Sequence, residues 1–509
     1  MSDTASFVRH DLAPQRPAPL RARGIVAFAR SRLFNTPANA LLTIVGVLLL
    51  WTIIVPTVRF LFVDAVWAGA DRTACLAETA GHPVGACWPF VQAKLTQFIY
   101  GFYPEAERWR VNLTFLLAAI LLVPLLIPRV PAKTTNALLF FIAFPFVAFF
   151  LLYGGGLQGF VIGWVAHLVS TFLVAIGDAG ARLAELGASA SSASSAFPTL
   201  LRVVGEGIVW LSTFLLYVSF PLLWLRDQIL ASGQPLWADV AATAVIVSAV
   251  AFAVGGGIRT GWRALLVSLI VFAIIAGLIR AMGLDRGGLA VVDTRQWGGL
   301  LVTLVVAVTG IVASMPVGIA LALGRRSTIP LIRLFSIGFI EFWRGVPLIT
   351  VLFFATYMLP LFLPGNFTVD GLVRVLIGIA LFAGAYNAEV IRGGLQAVPR
   401  GQEEAAAALG LSHGRTIGLI VLPQALRHVI PGLVNSFIAL FKDTSLVSIV
   451  ALFDLLGSLR ASFADPAWAT PTTLFTGFAF AGIIYFVVCF AMSRYSLFVE
   501  RRLNAHQRN

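Results

Sequence analysis

Charged residues are scarce in this chain. Asp, Glu, Lys and Arg together make up 12% of its 509 residues, whereas hydrophobic residues make up 59% and the mean hydropathy is +0.91. Soluble domains carry about 25% charged residues, so an ordinary soluble protein is excluded. The apolar runs continue for about twenty residues instead of alternating at every second position, which disfavours a transmembrane β-barrel. The expected fold class is an all-α polytopic membrane protein.

Groups that catalyse reactions or bind metals are also scarce. The six histidines are scattered along the chain, with no serine, cysteine or carboxylate constellation around any of them. The three cysteines have no histidine at metal-ligand spacing except His82, which could equally be a solvated loop residue. No G-x-x-x-x-G-K-[ST] phosphate loop occurs. We therefore expect no enzyme activity, no metal and no bound cofactor, so any ATP and Mg²⁺ must be used by another polypeptide.

Twelve long apolar runs are present, and each is a candidate membrane span. In chain order they are residues 40–62, 111–127, 135–153, 160–177, 207–225, 240–256, 264–282, 300–323, 346–363, 372–391, 430–455 and 474–492. An even number of spans puts both termini on one side of the membrane. The first run is too long for a cleavable signal peptide and follows a long basic tail, so it is expected to be a retained span.

The basic residues indicate which side that is. Residues 1–39 contain two acidic residues, Asp3 and Asp11, and six arginines, namely Arg9, Arg16, Arg21, Arg23, Arg30 and Arg32. By the positive-inside rule both termini are expected to be cytoplasmic. Alternation then puts the other basic groups inside as well: Arg129 with Lys133, Arg259 with Arg263, Arg325 with Arg326, and Arg494 with Arg501 and Arg502. The net charge of +13 is thus explained by topology and anionic lipid headgroups, and no nucleic-acid partner is expected.

One polar stretch, GQEEAAAALGLSHGRTIGLIVLP at residues 401–423, interrupts the apolar pattern. Strong helix formers fill residues 402–409, and Gly410 stands where a left-handed residue would end that helix. Ser412 can cap a second helix, which Pro423 is expected to end or kink after about three turns. Helices this short are marginal alone, so a partner surface is expected to hold them. The alternative is an ordinary cytoplasmic hairpin with an alanine-rich face.

The spacing E-A-A-x3-G-x9-I-x-L-P in this stretch resembles the coupling loop of ABC-importer permeases, which docks into a cleft on an ATPase subunit. The matching residues are Glu404, Ala405, Ala406, Gly410, Ile420, Leu422 and Pro423. Longer segments resemble the larger, M-type permease subunit of general L-amino-acid (Aap/Bzt-type) importers: GACWPF (85–90), YPEAERWR (103–110), EFWRGVPL (341–348), AYNAEVIRGGLQAVPRGQEEAA (385–406), FKDTSLVSIVALFDLLG (441–457) and SRYSLFVERRL (493–503).

This resemblance implies a type-I importer core formed by the last five spans. It also implies that the chain lies in the bacterial inner membrane and has three kinds of partner: a homologous permease forming a heterodimer, two ABC ATPase subunits, and a periplasmic amino-acid-binding protein. The expected regions are a basic tail (1–39), a three-helix region (40–156) with a periplasmic loop (63–110), a permease core (289–493) with its coupling loop (393–429), and a cytoplasmic tail (494–509).

Residues 157–288 depart from the family pattern, in which the Gly-rich end of the third span leads almost directly into the core. This insertion contains four of the twelve runs, an even number that restores the side on which the core begins. The stretch GASASSASS (187–195) is expected to be a flexible linker. Gly155, Gly159 and Gly163 are either a small-residue stripe for helix packing or a chance spacing.

Charged residues inside spans usually face partners or water. Lys442 and Asp443 fall near mid-membrane, where they could bind the carboxylate and ammonium of an amino acid, with Thr444 and Ser445 adding hydrogen bonds. Alternatively, they bond to other charges between helices.

Two further pairs, Glu341 with Arg344 and Glu389 with Arg392, are each one helical turn apart and are expected to be structural or gate-lining ion pairs. Gly345 and Pro347 are expected to bend or interrupt their span.

The cysteines fall in two places. Cys75 and Cys87 lie in the loop between the first two spans, where a disulfide is expected if the geometry allows it. Cys489 in the last span is expected only to pack.

Two other functions remain open at this stage. An ion-coupled secondary amino-acid transporter would also have about twelve spans but would need no ATPase. A membrane scaffold or sensor would show no substrate-dependent ATP turnover in any complex that contains it.

Overall fold

The computed structural model describes residues 28–127, 130–131, 133–157, 159–189, 196–254, 261–281, 283–362 and 369–504. Within these ranges the regular structure is helical, with four isolated β-bridges in place of any sheet. The all-α fold class is thus confirmed. The predicted topogenic residues Arg9, Arg16, Arg21, Arg23, Arg129 and Arg259, and residues 190–195 of the predicted linker, lie outside the described residues.

The α-helices of the described ranges are numbered here in chain order. They are α1 (Pro37–Val58), α2 (Ala77–Ala80), α3 (Trp88–Tyr100), α4 (Arg108–Leu126), α5 (Lys133–Leu138), α6 (Phe144–Tyr153), α7 (Val161–Ser189), α8 (Ala196–Val218), α9 (Phe220–Ala231), α10 (Pro235–Val254), α11 (Gly261–Ala281), α12 (Gly299–Arg325), α13 (Pro330–Gly345), α14 (Leu348–Phe353), α15 (Leu359–Phe362), α16 (Gly371–Ala397), α17 (Gly401–Ala408), α18 (His413–Thr416), α19 (Leu422–Asp443), α20 (Leu455–Ser462) and α21 (Thr473–Asn504).

Shorter helical segments of two other kinds connect or extend these helices. The 3₁₀ segments are Arg72–Cys75, Glu105–Glu107, Leu284–Arg286, Thr294–Gln296 and Thr444–Val450, and the π-helical segments are Ala29–Leu33, Arg59–Val63, Leu139–Ala143, Phe354–Met358 and Ile417–Val421. Proline stands two residues after three of the π segments, at Pro145, Pro360 and Pro423. Since proline lacks an N–H and its ring collides with the preceding turn, the wider π turn lets these helices continue.

Eleven of the twelve predicted spans coincide with long apolar helical segments, and the ninth, residues 346–363, falls on the second half of a bent pair. Eleven helical segments of the described chain are long and apolar enough to cross a membrane, and a bent pair, Pro330–Gly345 with Leu348–Phe362, makes up to twelve. The two helices of the pair meet at 103°, and the break falls at Val346 and Pro347, as Gly345 and Pro347 predict. The predicted start of the eleventh span has the largest error. The sequence predicts residue 430, but the helical segment runs from His413 to Val450.

The described chain divides into two compact units, one formed by residues up to Ala93 together with Phe463–Ala479, the other by the remaining described residues. In the first unit a disulfide joins Cys75 to Cys87, whose Cα atoms are 5.7 Å apart. The backbone N–H of Cys87 donates to Oγ1 of Thr476 over 2.9 Å, and both cysteines are buried. The loop between the first two spans is therefore held by a covalent bond and a buried hydrogen bond.

In the second unit, helices α12, α16 and α19 pack closely through glycines. A Cβ on Gly384 of α16 would lie 2.5 Å from Cγ1 of Val317 on α12, and one on Gly394 would lie 2.5 Å from the carbonyl oxygen of Ala425 on α19. Around these contacts lies an apolar cluster that includes Ile340 and Ile391, both fully buried. Small residues at such crossings let membrane helices approach each other, because lipid supplies no hydrophobic drive for association.

The two ends of the predicted insertion meet. The backbone N–H of Gly155 donates to the carbonyl of Leu289 over 2.7 Å, and the N–H of Leu157 donates to that of Leu284 over 2.9 Å. A Cβ on Gly288 would lie 2.0 Å from the carbonyl oxygen of Gly155, so only glycine allows this approach. The two ends of the segment 157–288 are thus next to each other in the structure.

The predicted stripe of Gly155, Gly159 and Gly163 is wrong as a helix-packing motif, because α7 begins only at Val161. Instead, the carboxylate of Asp239 on α10 accepts hydrogen bonds from the N–H of Phe160, just before α7, at 2.6 Å, and from Ile162 at 3.0 Å and Gly163 at 2.8 Å in the first turn of α7. Asp239 is fully buried. It satisfies N–H groups that a helix start would otherwise leave unpaired, and it links α7 to α10.

Candidate coupling site

Helix α17 carries the predicted coupling motif and ends as its sequence predicts. The N–H of Gly410 donates to the carbonyl of Ala407 over 3.0 Å, and the N–H of Leu411 donates to that of Ala406 over 3.1 Å. Gly410 has a φ of +75°, the left-handed conformation that glycine adopts without a steric cost. These bonds form a Schellman motif, which ends α17 at Ala408 and turns the chain towards α18.

Pro423 does not end or kink the second helix as predicted. The π segment Ile417–Val421 relieves the proline, so the chain continues into α19. Ser412 does precede α18, but its side chain makes no capping hydrogen bond there. Only its carbonyl accepts, from Thr416 over 2.9 Å. The predicted coupling loop is therefore one short helix followed by a long helical extension of a span, which gives the loop a stiff base.

The motif residues divide into a buried set and an exposed set. Ala406 is buried in the loop, while Ile420 and Leu422 are half-buried. Glu404, Ala405, Gly410 and Pro423 are exposed. Two large apolar side chains beside them are also exposed, Leu409 at 81% and Leu419 at 70%. The loop thus presents a carboxylate amid small and apolar side chains.

Two polar contacts anchor α17 to the helices behind it. Nη2 of Arg326 lies 3.0 Å from Oε1 of Glu403. Nε2 of Gln424 donates to Oε1 of Gln402 over 3.3 Å and to the carbonyl of Ile420 over 2.9 Å. Glu403 and Gln402 thus face the protein, whereas the neighbouring Glu404 faces away from it.

An ion-pair network joins three helices close to this loop. Nη1 of Arg325 at the end of α12 lies 3.3 Å from Oε1 of Glu341 on α13 and 3.2 Å from Oε2 of Glu389 on α16. Glu389 also accepts from Nε of Arg392 over 2.9 Å. One guanidinium therefore bridges two helices, and the predicted Glu389–Arg392 pair is part of a larger network.

The predicted pair of Glu341 with Arg344 is wrong. Glu341 turns to Arg325, and the guanidinium of Arg344 lies over the ring of Tyr386, 5.7 Å from its centroid. The one-turn spacing allowed the pair, but partners from other helices compete for both groups, which local spacing cannot show. A cation over a tyrosine ring is a favourable contact, worth about 0.5–1 kcal/mol when exposed.

The candidate substrate residues lie where α19 tightens into the 3₁₀ segment Thr444–Val450. Lys442 is exposed and Asp443 half-buried. Thr444 is buried, and its hydroxyl donates to the carbonyl of Phe441 over 2.8 Å. The hydroxyl of Ser445 donates to the carbonyl of Lys442 over 2.8 Å. Both hydroxyl protons are thus bonded to backbone carbonyls, and the charged pair remains as the candidate contact for a solute.

A buried polar cluster near this segment was not predicted from the sequence. Asp454 is fully buried and accepts from the N–H of Leu456 at 3.2 Å and of Gly457 at 2.8 Å, at the start of α20. The hydroxyl of Tyr485 on α21 lies 3.3 Å from Oδ2 of Asp454 and 3.4 Å from Oγ1 of Thr444. The aspartate just before a helical run, in a typical N-cap position, was the available signal.

Among the described residues no group of three or more His, Cys, Asp or Glu side chains could hold a metal ion.

Comparison with known proteins gives matches along the whole chain. Residues 314–505, which contain the coupling motif and the ion-pair network, match the family described as binding-protein-dependent transport system inner membrane component. The chain is 35% identical over 491 residues to the inner membrane amino-acid ABC transporter permease protein YhdY of Escherichia coli K12, covering 96% of each chain. It is 37% identical over 513 residues to the glutamate/glutamine/aspartate/asparagine transport system permease protein BztC of Rhodobacter capsulatus, covering 100% of each.

A solved structure described as an amino acid ABC transporter with histidines matches 40% of this chain and 92% of its own, at 30% identity and a TM-score of 0.35. That TM-score is too low to support any argument. The two full-length relatives are sufficient, because each is at least 35% identical to this chain over 96% or more of both lengths. The chain belongs to the multi-pass inner-membrane permease subunits of amino-acid ABC transporters.

Proposed function

We propose that this chain is one half of a heterodimeric permease that imports polar L-amino acids across the bacterial inner membrane, with a periplasmic binding protein delivering them. Two separate ABC ATPase subunits hydrolyse ATP with Mg²⁺, and this chain binds no cofactor. The names of the two relatives support the solute class, since one is an amino-acid permease and the other a glutamate, glutamine, aspartate and asparagine permease.

The observation that carries this proposal is the exposed face of the coupling loop. Glu404 and Ala405 are solvent-exposed, and so are Leu409 and Leu419 of the same loop, at 81% and 70%. Large apolar side chains exposed on a polar loop are typical of a surface that a partner covers. The ATPase cleft fits this face if it offers an apolar floor and a basic group or helix N-terminus for Glu404.

The proposed orientation puts both termini and the coupling loop in the cytoplasm. Arg325 and Arg326 at the end of α12 and Arg501 and Arg502 at the end of α21 follow the positive-inside rule. The disulfide of Cys75 with Cys87 then falls in the periplasmic loop after the first span. Disulfides persist in the oxidising periplasm and are rare in the cytosol, so charge and sulfur chemistry support the same orientation.

The proposed mechanism is alternating access. ATP binding draws the two ATPase subunits together, and α17, docked on one of them, moves with it. Because α18, the π segment and α19 form one continuous helical segment to Val450, displacement of the loop is carried into the membrane towards Lys442 and Asp443. The five-helix core then opens outward beneath the loaded binding protein.

Lys442 and Asp443 are proposed to face the path of the solute. A zwitterionic amino acid requires a cation for its carboxylate and an anion for its ammonium, and this adjacent pair offers both. Replacement by Met and Asn should raise the KM for uptake and leave the basal ATPase rate unchanged.

The experiment is purification of the tagged chain from native membranes by mild extraction, followed by ATPase assays with and without the binding protein loaded with amino acid. A co-purifying ATPase and second permease, with turnover stimulated by the loaded binding protein, would support the proposal. A chain that purifies alone and takes up amino acids in energised, ATP-depleted vesicles would refute it in favour of ion-coupled transport. A complex without substrate-dependent ATP turnover would favour a scaffold or sensor.

A further inference from the structure

Two adjacent arginines at the end of α12 bind different parts of the protein. Nη2 of Arg326 lies 3.0 Å from Oε1 of Glu403 on the coupling helix α17. Nη1 of Arg325 lies within 3.3 Å of carboxylate oxygens on both Glu341 of α13 and Glu389 of α16. Successive side chains on a helix point about 100° apart, so a single helix end reaches two neighbours on different sides.

The end of α12 is well suited to connect these elements. A Cβ on Gly318, two turns before the end, would lie 3.0 Å from Cβ of Asn387 and 3.2 Å from the carbonyl oxygen of Gly384 on α16. Such close packing leaves little room for α12 to shift against α16. Cationic side chains at its C-terminus are also favoured by the helix dipole.

Glu403 and Glu404 are neighbours with opposite surroundings. The side chain of Glu403 is 37% exposed and paired with Arg326, whereas Glu404 lies on the outer face that the proposed function assigns to the ATPase. The coupling helix therefore offers one carboxylate inward and one outward. A displacement received through Glu404 has a direct electrostatic connection to α12 through Glu403.

We propose that Arg326 and Arg325 form a relay that converts movement of α17 into a change of the contact between α13 and α16. Arg326 pulls the end of α12 with the coupling helix, and Arg325, moving with it, redistributes its bonds between Glu341 and Glu389. All four are assigned as positioning residues, which act through the helices that they join. The proposal rests on the proposed coupling function and adds to it the intramolecular partner of the docked helix.

The free energy of an exposed ion pair is enough to bias a conformational equilibrium but contributes little to the stability of the fold. Exposed ion pairs contribute about 0.2–1 kcal/mol each, which is little for stability. A two-state equilibrium shifts by up to about fivefold for a bias of that size. Loss of the Arg326–Glu403 pair should thus impair energy conversion without disrupting assembly.

The test uses the whole complex, purified through a tag on this chain and reconstituted in liposomes with its binding protein. Uptake of L-glutamate, L-glutamine, L-aspartate and L-asparagine is measured together with ATP hydrolysis. Arg326→Gln should retain the ATPase subunits in full, while uptake per ATP hydrolysed falls about two- to fivefold. The reversed pair, Arg326→Glu with Glu403→Arg, should restore the ratio.

The matched control is Arg333→Gln, which removes an exposed arginine from α13 and should leave the ratio unchanged. The relay is refuted if Arg326→Gln behaves like this control, if it strips the ATPase from the complex, or if the reversed pair is no better than either single variant. Failure of the proposed function would be seen in the wild-type complex itself, as absence of a co-purifying ATPase or of ATP-dependent uptake.

Discussion

A Cβ on Gly205 of α8 would lie 2.4 Å from the backbone nitrogen of Ala184 on α7. The two helices cross at this point with their backbones almost in contact. A Cβ on Gly187 of α7 would lie 2.5 Å from the backbone nitrogen of Arg202 on α8, and one on Gly180 would lie 2.9 Å from the carbonyl oxygen of Gly205. Backbone atoms cannot turn aside as a flexible side chain can. The hairpin of α7 and α8 therefore depends on glycine at this position.

Gly205→Ala should destabilise the chain by about 1–3 kcal/mol, the usual cost of overpacking. The matched control on the same helix is Gly207→Ala, because nothing lies within 4 Å of a Cβ built there. Alanine at 207 should be neutral or stabilise by up to about 1 kcal/mol through its helix propensity. Thermal unfolding of the detergent-solubilised chain, followed by circular dichroism, measures both. Equal melting temperatures for the two variants would contradict the close approach.

Gly410→Ala should loosen the end of the coupling helix. Gly410 has a φ of +75°, and an L-residue held there costs about 1–2 kcal/mol. Gly414→Ala is the control, since Gly414 lies within α18 and a Cβ there has open space. The amount of ATPase retained per permease after purification should fall for Gly410→Ala alone. Equal retention in both variants would mean that the shape of this turn is unimportant for docking.

Glu107→Gln should be far more costly than Glu105→Gln, although both glutamates pair with an arginine three residues later. Arg110, the partner of Glu107, is fully buried, at an Nε to Oε2 distance of 3.0 Å. Glu105 is 88% exposed in its pair with Arg108. Removal of the charge that pairs with a buried ion costs up to about 3–5 kcal/mol, whereas an exposed pair contributes about 0–1 kcal/mol.

Unfolding of this pair of variants by sodium dodecyl sulfate, followed by tryptophan fluorescence, gives the comparison. Equal unfolding midpoints for the two variants would show that burial of Arg110 does not raise the energetic cost of losing its partner. The second guanidinium contact, from Nη1 of Arg110 to the carbonyl of Ala290 over 2.9 Å, is unchanged in both variants. The difference between the two midpoints therefore measures the contribution of the Glu107 carboxylate to stability.

The sequence was most informative where a property is local. Hydropathy identified the eleven long apolar segments and the second half of the bent pair, and the strong helix formers before Gly410 predicted α17 and the position of its end. Pro423 was misread because its effect depends on whether the preceding turn can widen, which composition does not reveal. The partner of Glu341 was missed for a different reason: Arg325 is sixteen residues away and competes with the nearer Arg344 only after the helices have packed.

The two ends of the segment 157–288 lie beside each other. Hydrogen bonds of Gly155 with Leu289 and of Leu157 with Leu284 hold them there. When the two ends of a segment meet, a change in its length costs little folding free energy, because the chain before and after it keeps the same path. An even number of spans between those ends also preserves the sidedness of the following helices. Evolution could therefore add or remove this module in one step while the permease core kept its orientation, its packing and its coupling loop.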